Sequence, residues 1–90
     1  MKIDSTRYFD KDVQNLPKNV QQKLGMVMAN LMRIESLDGI SNLKKMTVKG
    51  YYRIRIMDWR IGFKYEEDTN TLLFLVAKHR REIYDDFPPK

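Results

Sequence analysis

Tyr51-Tyr52-Arg53-Ile54-Arg55-Ile56-Met57-Asp58-Trp59-Arg60-Ile61-Gly62-Phe63-Lys64-Tyr65 is the stretch that decides the fold. Apolar and polar residues alternate on either side of a break at Met57-Asp58. Side chains along a strand point to opposite faces in turn, so each half reads as a half-buried β-strand and the whole as a hairpin. Tyr52, Ile54 and Ile56 share one face of the first half, with Arg53 and Arg55 on the other. Trp59, Ile61, Phe63 and Tyr65 share one face of the second half, with Arg60, Gly62 and Lys64 on the other. Pairing the apolar faces gathers Arg53, Arg55, Arg60 and Lys64 on one exposed surface. Like charges that close repel one another, a cost in a sheet. The pattern therefore points to an anionic visitor.

Towards the N-terminus, Lys2 to Thr6 reads as a short strand. Phe9, Val13 and Leu16 then stand on one helical face, and Pro17 ends that helix because it lacks an N–H and restricts the residue before it. Val20, Leu24, Val27, Leu31 and Ile34 recur at steps of four and three and predict a second helix from about Pro17 to about Ser36. Met26, Met28 and Met32 widen its apolar side. Gly25 within it costs about 1 kcal/mol relative to alanine, which close packing against the sheet would explain. Ile40 to Gly50 reads as a connection rich in lysine.

Beyond the hairpin, Glu66 to Asn70 form a polar turn. Leu72-Leu73-Phe74-Leu75-Val76-Ala77 is a continuous apolar run of strand length, expected inside the sheet and covered on both sides. The segment from Lys78 to Phe87 suits a helical turn or two, stopped by Pro88-Pro89. The whole is an α+β arrangement in the order β-α-α-β-β-β with a short helical tail. Two N-terminal helices pack on one face of a mainly antiparallel four-stranded sheet, and the basic side chains point away from them.

The 90 residues suit one domain spanning positions 1–90, and the 42% hydrophobic content is enough for a single core. The absence of cysteine excludes disulfides, thiolate chemistry and cysteine-ligated zinc, and fits a reducing cytoplasm. No apolar run is long enough for a membrane span, and Met1 to Thr6 lack a signal-peptide core. The net charge of +5 favours anionic partners, among them nucleic acid, an acidic protein or a membrane surface.

Few residues offer nucleophiles or metal ligands. His79 is the single histidine, and its neighbouring carboxylates are few and interleaved with arginines. No glycine-rich phosphate loop is present. What remains is a set of cations with aromatics: Arg53, Arg55, Arg60, Lys64, Arg80, Arg81 and Tyr84, joined by Lys45 and Lys49. That set suits RNA cleavage without metal or other cofactor. The 2′-OH of a nucleotide attacks its own 3′-phosphate, arginine forks bind the phosphate oxygens, and a tyrosine stacks on a base. Each residue also has a plain structural use. The arginines suit a solvated face, Tyr52, Trp59, Phe63 and Tyr65 suit the core, Phe87 docks the tail, and His79 is a strand-end surface residue. By composition alone, a basic α+β module is the better description.

The segment from Gly50 to Ile61 resembles the central hairpin of the RelE/ParE toxin superfamily. His79-Arg80-Arg81-Glu82-Ile83-Tyr84 resembles its C-terminal motif, a basic cluster followed by tyrosine. Leu16-Pro17-Lys18 between two helices and the order of elements match as well, so the resemblance covers nearly the whole chain. The RelE branch fits better than ParE because basic residues and the tyrosine fill the RNase positions. The resemblance implies the toxin of a type II toxin–antitoxin pair, a cytoplasmic enzyme that cuts mRNA in the ribosomal A site without metal or small-molecule cofactor. Its partners would be a cognate antitoxin and mRNA on the ribosome, with 16S rRNA contacts and no membrane.

Carried over by motif, Arg53 and Arg55 fall where the family has two lysines, and Arg60 falls on its phosphate-stabilising arginine. Arg80 or Arg81 falls near its leaving-group arginine, and Tyr84 on its C-terminal tyrosine. Lys45, Lys49 and Lys64 are candidates for RNA binding. The departure is chemical, because arginine is a poor proton acceptor. That leaves His79, Tyr84, Lys49 or an unusually placed Arg53 or Arg55 as the base. The competing readings are a ParE-like inhibitor of DNA gyrase without catalysis, and a non-catalytic basic module that binds RNA or protein.

Overall fold

The computed structural model describes residues 1–88, and of Asp85 and Asp86 the backbone alone. Pro88 follows the last helical turn as expected, while Pro89 lies outside the described residues. The chain runs β1 (Lys2–Ser5), α1 (Arg7–Gln14), α2 (Lys18–Leu31), β2 (Leu43–Lys45), β3 (Tyr51–Ile56), β4 (Trp59–Glu66), β5 (Thr71–His79) and α3 (Ile83–Asp86). The strands form one five-stranded sheet in the order β1-β5-β4-β3-β2. β1 runs parallel to β5, and the other pairings are antiparallel.

The α+β architecture is the expected one, with one strand more than the four read from the sequence. The added strand, β2, sits inside the lysine-rich connection. With three residues, it is too short to show an alternation, and lysines on an edge strand discourage further pairing. Leu43 lies opposite Ile54, Lys44 opposite Arg53 and Lys45 opposite Tyr52.

Thr6 caps α1, its Oγ1 accepting from the Phe9 N–H at 3.1 Å. Phe9 then meets Phe74 at a ring separation of 5.3 Å, and Val20, Leu24 and Leu31 of α2 are buried with it. α2 ends at Leu31, short of the expected Ser36. Past Leu31 the Arg33 N–H turns back to Asn30 O at 3.0 Å, and the Leu31 carbonyl, which a continuing helix would pair with the Glu35 N–H, faces the Met1 amine at 3.4 Å, as does the Ile34 carbonyl at 2.6 Å. Ile34 still packs on the core. Gly25 also departs from expectation. It is exposed, and a Cβ built there would meet nothing within 4 Å, so close packing is not its reason. Met26 and Met32 point to solvent, and Met28 packs partly on the core.

The core lies between the helices and one sheet face: Ile54, Ile56, Ile61, Phe63, Leu72, Phe74 and Ala77 are buried there. Tyr52, Trp59 and Tyr65 pack against it, as their alternation requires. The apolar run of β5 does lie inside the sheet, between β1 and β4. A register shift beside Gly62 and Phe63 brings Phe74 and Ala77 onto the helix side. Leu73, Leu75 and Val76 are only half-buried, because the single turn of α3 covers just part of the opposite face. Past the end of β1, Asp12 of α1 takes over the β5 edge. Its carboxylate accepts from the Ala77 N–H at 3.0 Å and from Lys78 Nζ at 2.9 Å.

Candidate functional site

The hairpin register places the basic residues. Arg55 stands directly across from Arg60, Arg53 from Gly62, and Tyr51 from Lys64. Directly opposed residues share a face, so Arg53, Arg55, Arg60 and Lys64 all lie on the side away from the helices. β2 adds Lys44 to that side, opposite Arg53. Asn42, Leu43, Lys44, Arg53, Arg55 and Arg60 line an open hollow of about 310 Å³.

Arg60 is held from behind. Its Nη1 donates to the carbonyls of Met57 at 3.0 Å and Trp59 at 3.1 Å, so the β3–β4 turn fixes its guanidinium. Partial burial, and then the charges of Arg53, Arg55 and Arg80, pull its pKa below the ordinary arginine value. It remains a cation at any physiological pH. A cation surrounded by cations is an arrangement that a bound phosphate would relieve.

Tyr84 enters from α3. Arg53 Nη1 donates to its hydroxyl at 3.3 Å, and the Arg53 guanidinium carbon lies 5.6 Å from the centre of its ring. The ring is otherwise exposed. The hydrogen bond from Arg53, followed by the Arg53 charge, holds the phenol below the ordinary tyrosine value. The site thus offers guanidinium forks in the hollow and, beside it through Arg53, an aromatic face with a hydroxyl oxygen.

The other candidates lie elsewhere. Arg80 closes one end, its backbone N–H donating to Asp58 O at 2.8 Å and its Nε 3.9 Å from the Asp58 carboxylate. Its charge is felt at Arg60. Arg81 is exposed in the following turn, where its N–H donates to His79 Nδ1 at 3.3 Å. His79 stands opposite Trp59 and meets its ring edge-on at 5.4 Å, which puts it on the helix side of the sheet. Lys64 keeps to the basic side, 5.9 Å from the Tyr51 ring centre and 3.5 Å from Glu66. Lys45, opposite Tyr52, faces away from the hollow, and Lys49 is exposed in the β2–β3 loop.

Lys44 is the residue that sequence reasoning missed. The three-residue strand carrying it shows no periodicity, and only its pairing with Arg53 reveals its side. No group of three or more histidine, cysteine or carboxylate side chains that could hold a metal ion occurs among the described residues. No helix among them is long and apolar enough to cross a membrane.

No family model matches the chain. Individual proteins do. Toxin RelE3 of Methanocaldococcus jannaschii is 33% identical over 92 residues, covering 98% of this chain and all of the relative. The RelE of a RelB–RelE antitoxin–toxin complex from Methanococcus jannaschii superposes with a TM-score of 0.80 at 29% identity, over 94% of this chain and 99% of that one. The archaeal RelE–RelB complex from Pyrococcus horikoshii gives 0.74 at 19% identity, over 90% and 96%. That last likeness is one of fold alone, whereas the full-length identity to a RelE protein is enough to assign descent. The chain belongs to the RelE toxin family.

Proposed function

We propose that this protein is the toxin of a toxin–antitoxin pair and a metal-independent endoribonuclease that cuts mRNA in the ribosomal A site. The observation that carries this reading is the hollow of Lys44, Arg53, Arg55 and Arg60 with Tyr84 set over Arg53. Cutting RNA by 2′-OH attack requires in-line alignment, charge stabilisation on the phosphorane, and transfer of one proton in and one out. Arg60, fixed by two turn carbonyls, stabilises the developing charge without having to reorganise. Arg53, Arg55 and Lys44 hold the phosphate and its neighbours. Arg80 rather than Arg81 serves the leaving oxygen, because its bonds to Asp58 hold it at the β3–β4 turn that also fixes Arg60, while Arg81 is exposed one residue further on.

The Tyr84 ring stacks on a base. Its oxygen, 3.3 Å from Arg53 Nη1, takes the proton, since His79 lies across the sheet and arginines do not give up their protons. The guanidinium charges occupy the role a metal would otherwise fill. The partners are mRNA on the cytoplasmic ribosome, with its 16S rRNA, and an antitoxin that covers the basic face. Family relatives are complexed with RelB antitoxins.

The test is a reconstituted translation reaction containing EDTA-treated toxin, with cuts mapped by primer extension with and without ribosomes. Wild type should cut at A-site codons only when ribosomes are present, and Arg60→Ala should lose about 10²–10³-fold in rate. No cuts in any condition would overturn the nuclease reading. A parallel supercoiling assay would then ask whether the protein inhibits DNA gyrase instead.

A further inference from the structure

α3 is a single helical turn, and a helix that short has no stability of its own in water. Its position depends on two anchors, Ile83 and Phe87, which are four residues apart and therefore share one face of the turn. Both are buried, at 1% and 2% exposure. The turn closes on itself, with the Phe87 N–H donating to Ile83 O at 2.9 Å. Tyr84 lies between these anchors, on the exposed side, and reaches Arg53.

The seat for Phe87 is made by an absent side chain. Gly62 stands in the middle of β4, opposite Arg53 on one neighbour and Val76 on the other. A Cβ at this position would lie 2.9 Å from Cδ1 and Cε1 of the Phe87 ring and 2.9 Å from Cγ2 of Val76. Tyr51 walls the seat, its ring meeting Phe87 edge-on at 5.9 Å. Glycine within a strand weakens it and tends to mark a close approach by another part of the structure. Here the approaching part is the tail that carries Tyr84.

We propose that Gly62 and Phe87 act as positioning residues: the bare backbone at Gly62 seats the Phe87 ring, and that seat holds Tyr84 against Arg53 at the edge of the basic hollow. Neither residue touches the RNA. The catalytic half of the inference rests on the nuclease reading above, and the positioning half does not.

The experiment therefore has two independent readouts on the full chain. The first is nuclear magnetic resonance of protein labelled with ¹³C-tyrosine. The Tyr84 ring signal is identified by its absence from Tyr84→Phe, and Tyr52 and Tyr65, which pack on the core, report that the fold persists. In the wild type, Tyr84 should titrate below the ordinary value of about 10. The Arg53 contact favours the phenolate, so losing the seat should raise the titration midpoint back towards that value. Phe87→Ala and Gly62→Ala should both do this, and Phe87→Leu, which keeps an apolar anchor, should do so in part.

The second readout is single-turnover cleavage of ribosome-bound mRNA. The rate at saturating toxin should fall by about 10–100-fold in Phe87→Ala and by less in Phe87→Leu, with the half-saturating toxin concentration unchanged. A lost fold would instead remove binding and rate together. If Gly62→Ala fails to fold, the two Phe87 variants decide. An unmoved Tyr84 signal and titration in folded Phe87→Ala or Phe87→Leu overturns the proposal. Absence of cleavage by the wild type would overturn the nuclease reading alone, because the resonance readout does not depend on it.

Discussion

The two faces of the sheet are made from the same strands and obey opposite rules. On the helix side, Ile54, Ile61, Phe63, Leu72 and Phe74 are all at or below 2% exposure, and their apolar character follows from the free energy of removing them from water. On the other side, the same β3 and β4 set Arg55 across from Arg60 and crowd Arg53 and Lys44 beside them. Folding alone would disfavour that grouping, since opposed like charges destabilise a strand pair. The first face is explained by the protein's own stability. The second is not, and the phosphate ligand proposed above would account for it.

Phe63 provides the strongest way to break that contrast. It is fully buried, 5.2 Å from the Phe74 ring and 5.6 Å from the Tyr52 ring. Phe63→Ala should lose about 3–5 kcal/mol in urea denaturation, a large share of the whole for a small domain. Arg60→Ala, measured in parallel, should lose about 1 kcal/mol, the worth of its bonds to the turn. If Arg60→Ala proved as damaging to the fold as Phe63→Ala, the two faces would not divide stability from binding as described.

Arg55 sharpens the contrast from the other side. It is exposed, and its nearest cross-strand neighbour is the fixed Arg60. Replacing it with glutamine removes the opposed charge while keeping most of the side chain. Arg55→Gln should therefore stabilise the fold by a few tenths of a kcal/mol. It should also weaken binding to single-stranded RNA and make the salt dependence of log K shallower by about 0.7 for the lost phosphate contact. Filter binding across a range of salt concentrations, with urea denaturation alongside, reads both. A variant that is less stable, or whose salt slope is unchanged, would mean that Arg55 does not face the phosphate backbone.

The same division explains what could be read from the sequence. Burial imposes a period, so β3, β4, α1 and most of α2 were legible in Ile54, Ile56, Ile61, Phe63, Phe9, Val20 and Leu24. Strand alternation then carried Arg53, Arg55 and Arg60 to the open side without further information. What could not be read depended on contacts between distant segments. Lys44 becomes part of the hollow only through the pairing of β2 with β3, a strand too short to show a period. His79 and Arg80 are neighbours in the motif, yet alternation and the turn after β5 send His79 to the Trp59 side and leave Arg80 beside Asp58. The end of α2 meets the Met1 amine, which faces the Leu31 and Ile34 carbonyls from thirty residues away, and no local pattern announces it.

Gly25 belongs to neither face, and the expected effect there is the smallest. A glycine inside a regular element suggests a close approach, and at Gly62, in strand β4, that inference holds. At Gly25 it does not, because the position is exposed and open, in the middle of α2. Alanine would add no clash and would reduce the freedom of the unfolded chain, so Gly25→Ala should stabilise the protein by about 0.5–1 kcal/mol. For a chain of this size, that corresponds to a rise in Tm of about 2–8 °C. The gain should leave the basic hollow untouched, since α2 packs on the opposite side of the sheet. A fall in Tm would show that the backbone at Gly25 is held away from helical geometry. A rise accompanied by loss of cleavage would show that the helical layer and the basic face are energetically coupled, against the separation that Phe63 and Arg60 are expected to display.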